Sequence, residues 1–490
     1  MRLEARLQEA RAQAPMRLAR HYAELVREAA VLYEQGGNSS LVALNAFDAE
    51  RAQIEQWWAW LAERAAASSE AAKLLLLMAV EGQPVLWLRL AFSVILQWQT
   101  AAREVALRIG APAESIAALI AMGKAQVLLG ELEEATGKLW QAAGEAEVAG
   151  DRRQLCAALR DYALITLGVQ PAEESEAIAR RLLDLSRSLG DPRDLGTTLS
   201  VVGWIALKQG RWEEAQMTMN EGLPLTLRSG NQAMIALALQ RLGTLAHGIG
   251  DYAQASCYQR QALEFTMQMG DQRRAAHLMM DAAATLDNQG DFAAAREYYL
   301  QAISLTRRLG LSRLEAVAFA NLGYSAYLQN QFSDSVSYSE SAAPLLRSMK
   351  QFGLLCTVLA NLIAAYLPLG RFEQARLALQ EGLEIATNVN SEPLKVMMLV
   401  AAVQTWVAAA LAQPDAPAQR EMMAEAASWS GMILACPGAE QENRDDVAKL
   451  RPQMEAALGV ERFMALFQEG GEVYIDDVIA DIVSVLRASV

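Results

Sequence analysis

The chain has 490 residues, 53% of them apolar and 20% charged, with a formal net charge of −14. That apolar content excludes disorder and implies a large buried surface. The negative balance argues against nucleic acid and anionic membrane surfaces as direct partners, because both would be repelled.

The first fifteen residues, MRLEARLQEARAQAP, read as a charged helix without an apolar h-region, so no signal peptide is expected. Residues 1–68 are helical by pattern and form an N-terminal linker region. Tryptophans concentrate early, at Trp57, Trp58, Trp60, Trp87, Trp98 and Trp140. Adjacent Trp57 and Trp58 cannot both face one core. Either one of them contacts a domain outside this chain, or both serve two packing sides of a tightly buried helix. Residues 69–110 form a degenerate helix pair broken at Gly82-Gln83-Pro84. The apolar run at 85–96 contains Arg89 and is too short to span a bilayer.

From there an internal repeat governs the sequence. The segments GELEEA (130–135), GRWEEA (210–215), GDYAQA (250–255), GDFAAA (290–295), NQFSDS (330–335) and GRFEQA (370–375) align, and from 210 onward their starts differ by 40 residues. The gap of 80 between the first two leaves room for a divergent unit holding GVQPAEES (168–175). A second marker keeps the same step: Gly150, Gly190, Gly230, Gly270 and Gly310, with Lys350 and Asn390 in the equivalent places after that. Each unit therefore carries two turns about 20 residues apart, with a helical pattern between each pair of turns.

Individual helices are legible. Across 231–249, Met234, Leu237, Leu239, Leu242 and Leu245 recur at helical spacing. Gly250 then stops the helix in a left-handed cap, and Asp251 caps the next one. Small residues recur too. Gly123, Ala163, Gly203, Gly243, Ala283 and Gly323 mark the first helix of each unit. Ala135, Ala215, Ala255, Ala295 and Ala375 mark the second, and Ala142, Gly222, Ala262, Ala302, Ala342 and Gly382 follow seven residues later. Small side chains at these places let paired helices approach closely.

Seven units run from 111 to 390, and 391–435 reads as a further degenerate pair with its turn at Pro414-Asp415-Ala416-Pro417. Within it, 396–412 is apolar but falls just below spanning length, and a buried repeat helix explains it better. Residues 436–490 form a C-terminal helical cap, opened by Cys436-Pro437-Gly438 and made polar by Asp476, Asp477 and Asp481. Both ends look capped, so a monomer is expected.

The Leu-Gly, Gly-Asp-Tyr/Phe and paired alanine pattern, held in register over 111–390, is that of tetratricopeptide (TPR) repeats. The expected fold is an all-α, right-handed superhelical TPR solenoid of antiparallel helix pairs with a 40-residue period. The flanks resemble the sensor region of prokaryotic STAND NTPases, the maltose-regulator-like and NLR-like proteins. AFDAERAQIEQWWAWLAE (46–63) is similar to the segment joining the nucleotide-binding core to the TPR sensor, with Gln53 where asparagine is usual. HYAELVREAAVLY (21–33) is similar to the helix before it, and LGVERFMALFQEGGEVYIDDVIADIV (458–483) to the sensors' terminal motif. The resemblance implies a cytoplasmic module whose solenoid binds a protein, peptide or small-molecule trigger on behalf of a linked or separate NTPase domain. No nucleotide-binding core is expected within these residues: Gly123-Lys124 precedes Ala125 inside a repeat helix and is no phosphate loop, and Gly137-Lys138, followed by Leu139, is none either.

No chemistry is expected. The three histidines and four cysteines form no metal-ligand spacing, nucleophile elbow or dinucleotide fingerprint, so neither enzyme activity nor a metal or cofactor is predicted. Binding is. In TPR arrays the first helix of each unit lines the concave face. On it, His277, Asp281, Ala284 and Asn288 lie at i, i+4, i+7 and i+11. Equivalent or nearby places hold Trp204, Arg241, Thr244, His247, Asn321, Tyr324, Tyr327 and Asn361, with Gln240, Asp287, Arg160, Lys124 and Lys208 close by. The alternative is that these groups merely solvate an open groove or bridge neighbouring helices. The Lys/Asn alternation of chaperone-tail clamps is not present. A constitutive scaffold and a peptide-pheromone-type TPR receptor are the competing functions. The latter usually carries an N-terminal helix-turn-helix, which 1–68 does not offer.

Overall fold

The computed structural model describes the backbone of residues 2–167, 171–413 and 415–488, and the side chains of 13–487 within those stretches. The expected turn at 168–170 and Pro414 lie outside the described residues. Every described element is a helix, and there is no strand among the described residues. Helices α1 (Arg2–Glu34) and α2 (Asn38–Arg64) form a hairpin. Helix α3 (Ser69–Leu76) passes through a π turn at Leu77–Glu81 into α4 (Gln83–Arg89), and α5 (Phe92–Ile109) follows.

The repeats then supply α6 (Pro112–Leu129), α7 (Leu132–Ala149), α8 (Arg152–Thr166), α9 (Ala172–Leu189), α10 (Pro192–Lys208), α11 (Trp212–Arg228) and α12 (Gln232–Gly248). They continue with α13 (Tyr252–Gln268), α14 (Gln272–Gln289), α15 (Phe292–Arg308), α16 (Ser312–Leu328), α17 (Phe332–Ser348), α18 (Phe352–Tyr366) and α19 (Phe372–Val389). Last come α20 (Glu392–Ala412), α21 (Ala416–Ala435), α22 (Gln441–Leu458), α23 (Val460–Gly470) and α24 (Ile475–Ala488). The chain packs as two compact units, residues 1–285 and 286–490.

The turns explain the period. Gly250 has φ +82°, its N–H donates to the carbonyl of His247 at 3.0 Å, and Asp251 N–H donates to the carbonyl of Ala246 at 2.9 Å. These two bonds satisfy carbonyls that the end of α12 would leave bare. The Asp251 carboxylate then accepts from Gln254 N–H at 3.0 Å and starts α13. Where the repeat lacks glycine, the same backbone persists: Asn330, Lys350 and Asn390 sit at φ 58°, 53° and 51°. A side chain in that region costs about 1–2 kcal/mol. The turn is therefore imposed by the helices on either side of it.

The small residues are where paired helices touch. A Cβ on Gly203 would lie 2.5 Å from Met219 Cγ, on Gly243 2.9 Å from Gln259 Cγ, and on Gly323 2.6 Å from Ser339 Oγ. Ala215 and Ala255 are fully buried opposite Gly203 and Gly243, and Ala135, Ala295 and Ala375 are fully buried at the equivalent places. Helices α6 and α20 are long and apolar enough to cross a membrane by length and composition, but half and two-thirds of those stretches are buried in the fold. Lys395 at the start of α20 is also buried, held by Asn390 at 2.9 Å and by Asp476 at 2.6 Å.

In the first unit the N-terminal helices fold back along the array. Trp58 is 6% exposed and stacks on Trp98 with ring centroids 4.1 Å apart, while half-buried Trp57 meets Trp60 edge-on at 5.6 Å. One tryptophan of the pair thus enters the core and its neighbour lies along the helix surface. The turn after α1 docks far ahead in sequence. Gly37 N–H donates to Gln232 Oε1 at 2.9 Å, and Glu34 reaches Arg193 at 3.6 Å. Phe92, at the start of α5, lies under the Arg273 guanidinium at 4.1 Å.

Two sets of substitutions test this account by denaturant or thermal unfolding. Gly250→Ala is expected to lower stability by about 1 kcal/mol, whereas Lys350→Gly, which relieves the same strain, raises it by up to about 1 kcal/mol. Gly243→Leu is expected to cost about 1–3 kcal/mol through overpacking against Gln259.

Candidate functional site

Residues four apart on a helix share a face, so each first helix presents a short polar stripe, and the 40-residue step sets successive stripes side by side.

In the first unit Arg241, on α12, is only 7% exposed. Its Nη1 donates to Ser200 Oγ on α10 at 3.0 Å, and its guanidinium carbon lies 5.9 Å from the centre of the half-buried Trp204 ring. Lys208 approaches the same ring at 4.9 Å. Burial pushes the Arg241 guanidinium down to about 10, the like charges of Arg274 and Arg160 add to this, and Asp161 opposes it. Among the described residues no carboxylate stands within ion-pair distance of it.

On the next first helix, α14, Asp281 accepts from Gln240 Nε2 at 3.1 Å. Burial raises the pKa of this carboxyl, and the Gln240 bond only partly opposes the rise. Thr244 turns its hydroxyl back to the Gln240 carbonyl at 3.2 Å. His247 Nδ1 lies 3.0 Å from Thr285 Oγ1, whose own proton goes to the Asp281 carbonyl at 3.1 Å, so the imidazole is the donor. Burial lowers the His247 pKa, which favours the neutral ring. His277 is exposed.

In the second unit Tyr324 is 44% exposed and stacks on half-buried Tyr327, centroids 6.4 Å apart, with Phe332 beyond at 5.8 Å. Burial raises the Tyr324 phenol, and the acidic side chains of Glu442 and Asp446 on α22 raise it further. Asp287 accepts from Ser325 Oγ at 2.7 Å and from the Tyr299 hydroxyl at 3.1 Å. Asn288 is exposed, and Asn321 and Asn361 are half-buried.

The structure thus brings Trp204 to Arg241, ties Asp281 to the same stripe through Gln240, and pairs Tyr324 with Tyr327. Asn321 and Asn361 join none of these groups among the described residues. Sequence reasoning missed Ser200, Arg273, Arg274 and the acidic face of α22. Ser200 had a signal, since it stands 40 residues before Gln240 and 40 after Arg160. The electrostatic effect of α22 on Tyr324 had none. No group of three or more histidine, cysteine or acidic residues able to hold a metal occurs among the described residues. An open depression of about 770 Å³ between α7, α8 and α9 holds the Glu147–Arg181 ion pair, and none of the candidates lines it.

Residues 276–308, spanning α14 and α15, match the tetratricopeptide repeat family. No curated protein matches the chain in sequence. Among solved structures the chain is similar to a STAND protein with a tetratricopeptide repeat sensor from Pyrococcus horikoshii, at 12% identity and TM-score 0.53. That match covers 79% of this chain and 57% of the other, so this chain spans just over half of that protein's length. It is also similar to the apo form of the quorum sensor NprR from B. thuringiensis, at 16% identity and TM-score 0.46, covering 71% of this chain and 97% of that one. A third similarity is to BtubC from P. vanneervenii, at 21% identity and TM-score 0.41, covering 45% and 93%. At these identities the likeness speaks for the fold, which is an all-α TPR-type helical repeat.

The buried carboxyl gives a pH test. Folding raises the Asp281 pKa above its ordinary 3.8, so ionising it costs stability as pH rises above that value. Asp281→Asn, which keeps an acceptor for Gln240, is expected to raise the thermal midpoint at pH 7. The gain over wild type should close as pH falls towards 4. A gain that stays constant with pH would show that the carboxyl is not the cause.

Proposed function

We propose that the chain is a non-catalytic ligand-binding TPR module, the sensor portion of a STAND-type signalling protein. Its trigger binds on the face carried by the first helices. The observation that carries this reading is the set of side chains gathered at that face in each unit. In the first unit it is Trp204 beside a nearly buried Arg241, and in the second the exposed Tyr324 stacked on Tyr327. A face that served solvation alone would have no need to bury a guanidinium or stack two tyrosines. The similarity of fold to a STAND protein with a TPR sensor supports the same reading. In this role the module is a cytoplasmic monomer that needs no metal or cofactor and passes its state to an NTPase domain. Its trigger is a protein, a peptide or a small molecule.

The test is native mass spectrometry of the full chain after incubation with lysate of the source cell. The wild type is compared with Trp204→Ala/His277→Ala and with Asn321→Ala/Tyr324→Ala. A retained mass that one variant loses while keeping its helical circular dichroism places the trigger on that unit's face. A mass retained by both variants removes the first-helix face as the site.

A further inference from the structure

The inference concerns Arg241 and rests on the first-helix face being a binding face. The chain carries a net charge of −14, yet among the described residues no carboxylate pairs with this guanidinium, and the acidic groups beside it or beside its flanking residues hold other partners. Asp161 pairs with Lys124 at 3.7 Å. Asp194 pairs with Arg153 at 3.2 Å and Arg160 at 3.7 Å, and Asp271 with Arg274 at 3.3 Å. Asp281 accepts from Gln240. Arg241 is left with one hydroxyl, Ser200 Oγ, and the neighbouring Trp204 ring, although it is only 7% exposed.

A guanidinium offers five donors in a planar fork, and the fork matches one anionic group better than any other, a carboxylate or similar oxyanion held by two parallel bonds. Here one donor is used. We propose that Arg241 is the anchor for the carboxylate of a small organic acid. Ser200 steadies the fork, and Trp204 packs against the acid's carbon skeleton. A chain this acidic repels anions generally, so a local cationic point of this kind selects for charge as well as for shape.

The probe is sodium acetate, compared with sodium chloride at equal ionic strength and followed by the thermal midpoint of the full chain. The wild type is expected to gain stability saturably with acetate and not with chloride. Arg241→Met, which keeps the apolar stem, should bind acetate at least about tenfold more weakly. Arg241→Lys should retain part of the affinity. A second arm compares succinate with acetyl-diglycine as the free acid and as the amide. A preference for succinate supports the small acid, while a preference for the free-acid peptide over both reassigns the anchor to a peptide C-terminus. The absence of an acetate-specific gain in the wild type, or an equal gain in Arg241→Met, overturns the proposal. If that happens while the lysate-derived mass is still lost from Trp204→Ala/His277→Ala, the binding face stands and only the carboxylate assignment falls.

Discussion

The contact on which the rest depends is the close approach of one helix to its partner across a residue without a side chain. At Gly203, Gly243 and Gly323 there is no room for a Cβ, because the partner helix already occupies that space. This contact fixes the depth at which each pair packs, and the turns fix its phase. Equivalent positions of successive first helices then fall beside one another. Hydrogen bonds such as Gln240 to Asp281 and Arg241 to Ser200 become possible because their partners are 41 residues apart, one period plus one. A looser pair would let each helix rotate about its axis, and the stripes would lose register.

The turns show how strongly this geometry is imposed. Lys350 has no intrinsic reason to sit at φ 53°, and its side chain makes the conformation costly. It stays there because Lys350 N–H donates to Arg347 and Gln351 N–H donates to Leu346, at 3.1 and 3.0 Å, which ends α17 and aims α18. Two backbone bonds and the packing of two helices outweigh one strained residue. The same balance bears on the polar stripe. A buried charge costs several kcal/mol unless it is compensated. Arg241 recovers part of that from one hydrogen bond and a ring contact worth about 0.5–2 kcal/mol. The array thus tolerates a deficit at Arg241 that an apolar residue of similar volume would remove.

Periodic features were legible in the sequence because each unit repeats the same local problem. The glycine turns, the aspartate caps and the small-residue contacts all follow from spacing, and so does the all-helical class. The candidate stripe follows from the same spacing, and the state of each side chain on it does not. On that stripe Thr244 bonds its own helix and Arg241 is almost covered. Burial depends on which neighbours stand alongside, and spacing within one helix does not report them. Non-repeating segments were the least legible. Nothing near Gly37 signals that its N–H meets a glutamine 195 residues away, and nothing in α22 signals that Glu442 and Asp446 stand by Tyr324. Such contacts are made once, so no periodicity marks them.

Those single contacts limit what each unit's face can accept. In the first unit Phe92 covers the Arg273 guanidinium, and Trp87 stands 5.8 Å from Lys124, so the chain's own N-terminal helices already take up part of the stripe. In the second, the acidic side chains of Glu442 and Asp446 on α22 act on the Tyr324 phenol and raise it. An open repeat face suits a long helix or a folded partner, which needs on the order of 1,200 Å² or more of buried surface. A face narrowed by its own flanking helices, with a nearly buried guanidinium in its stripe, suits a ligand small enough to fit beside them. Its affinity would come from a few well-placed polar contacts rather than from area. Within each unit, a ligand on that unit's stripe must sit against its flanking side chains or displace them.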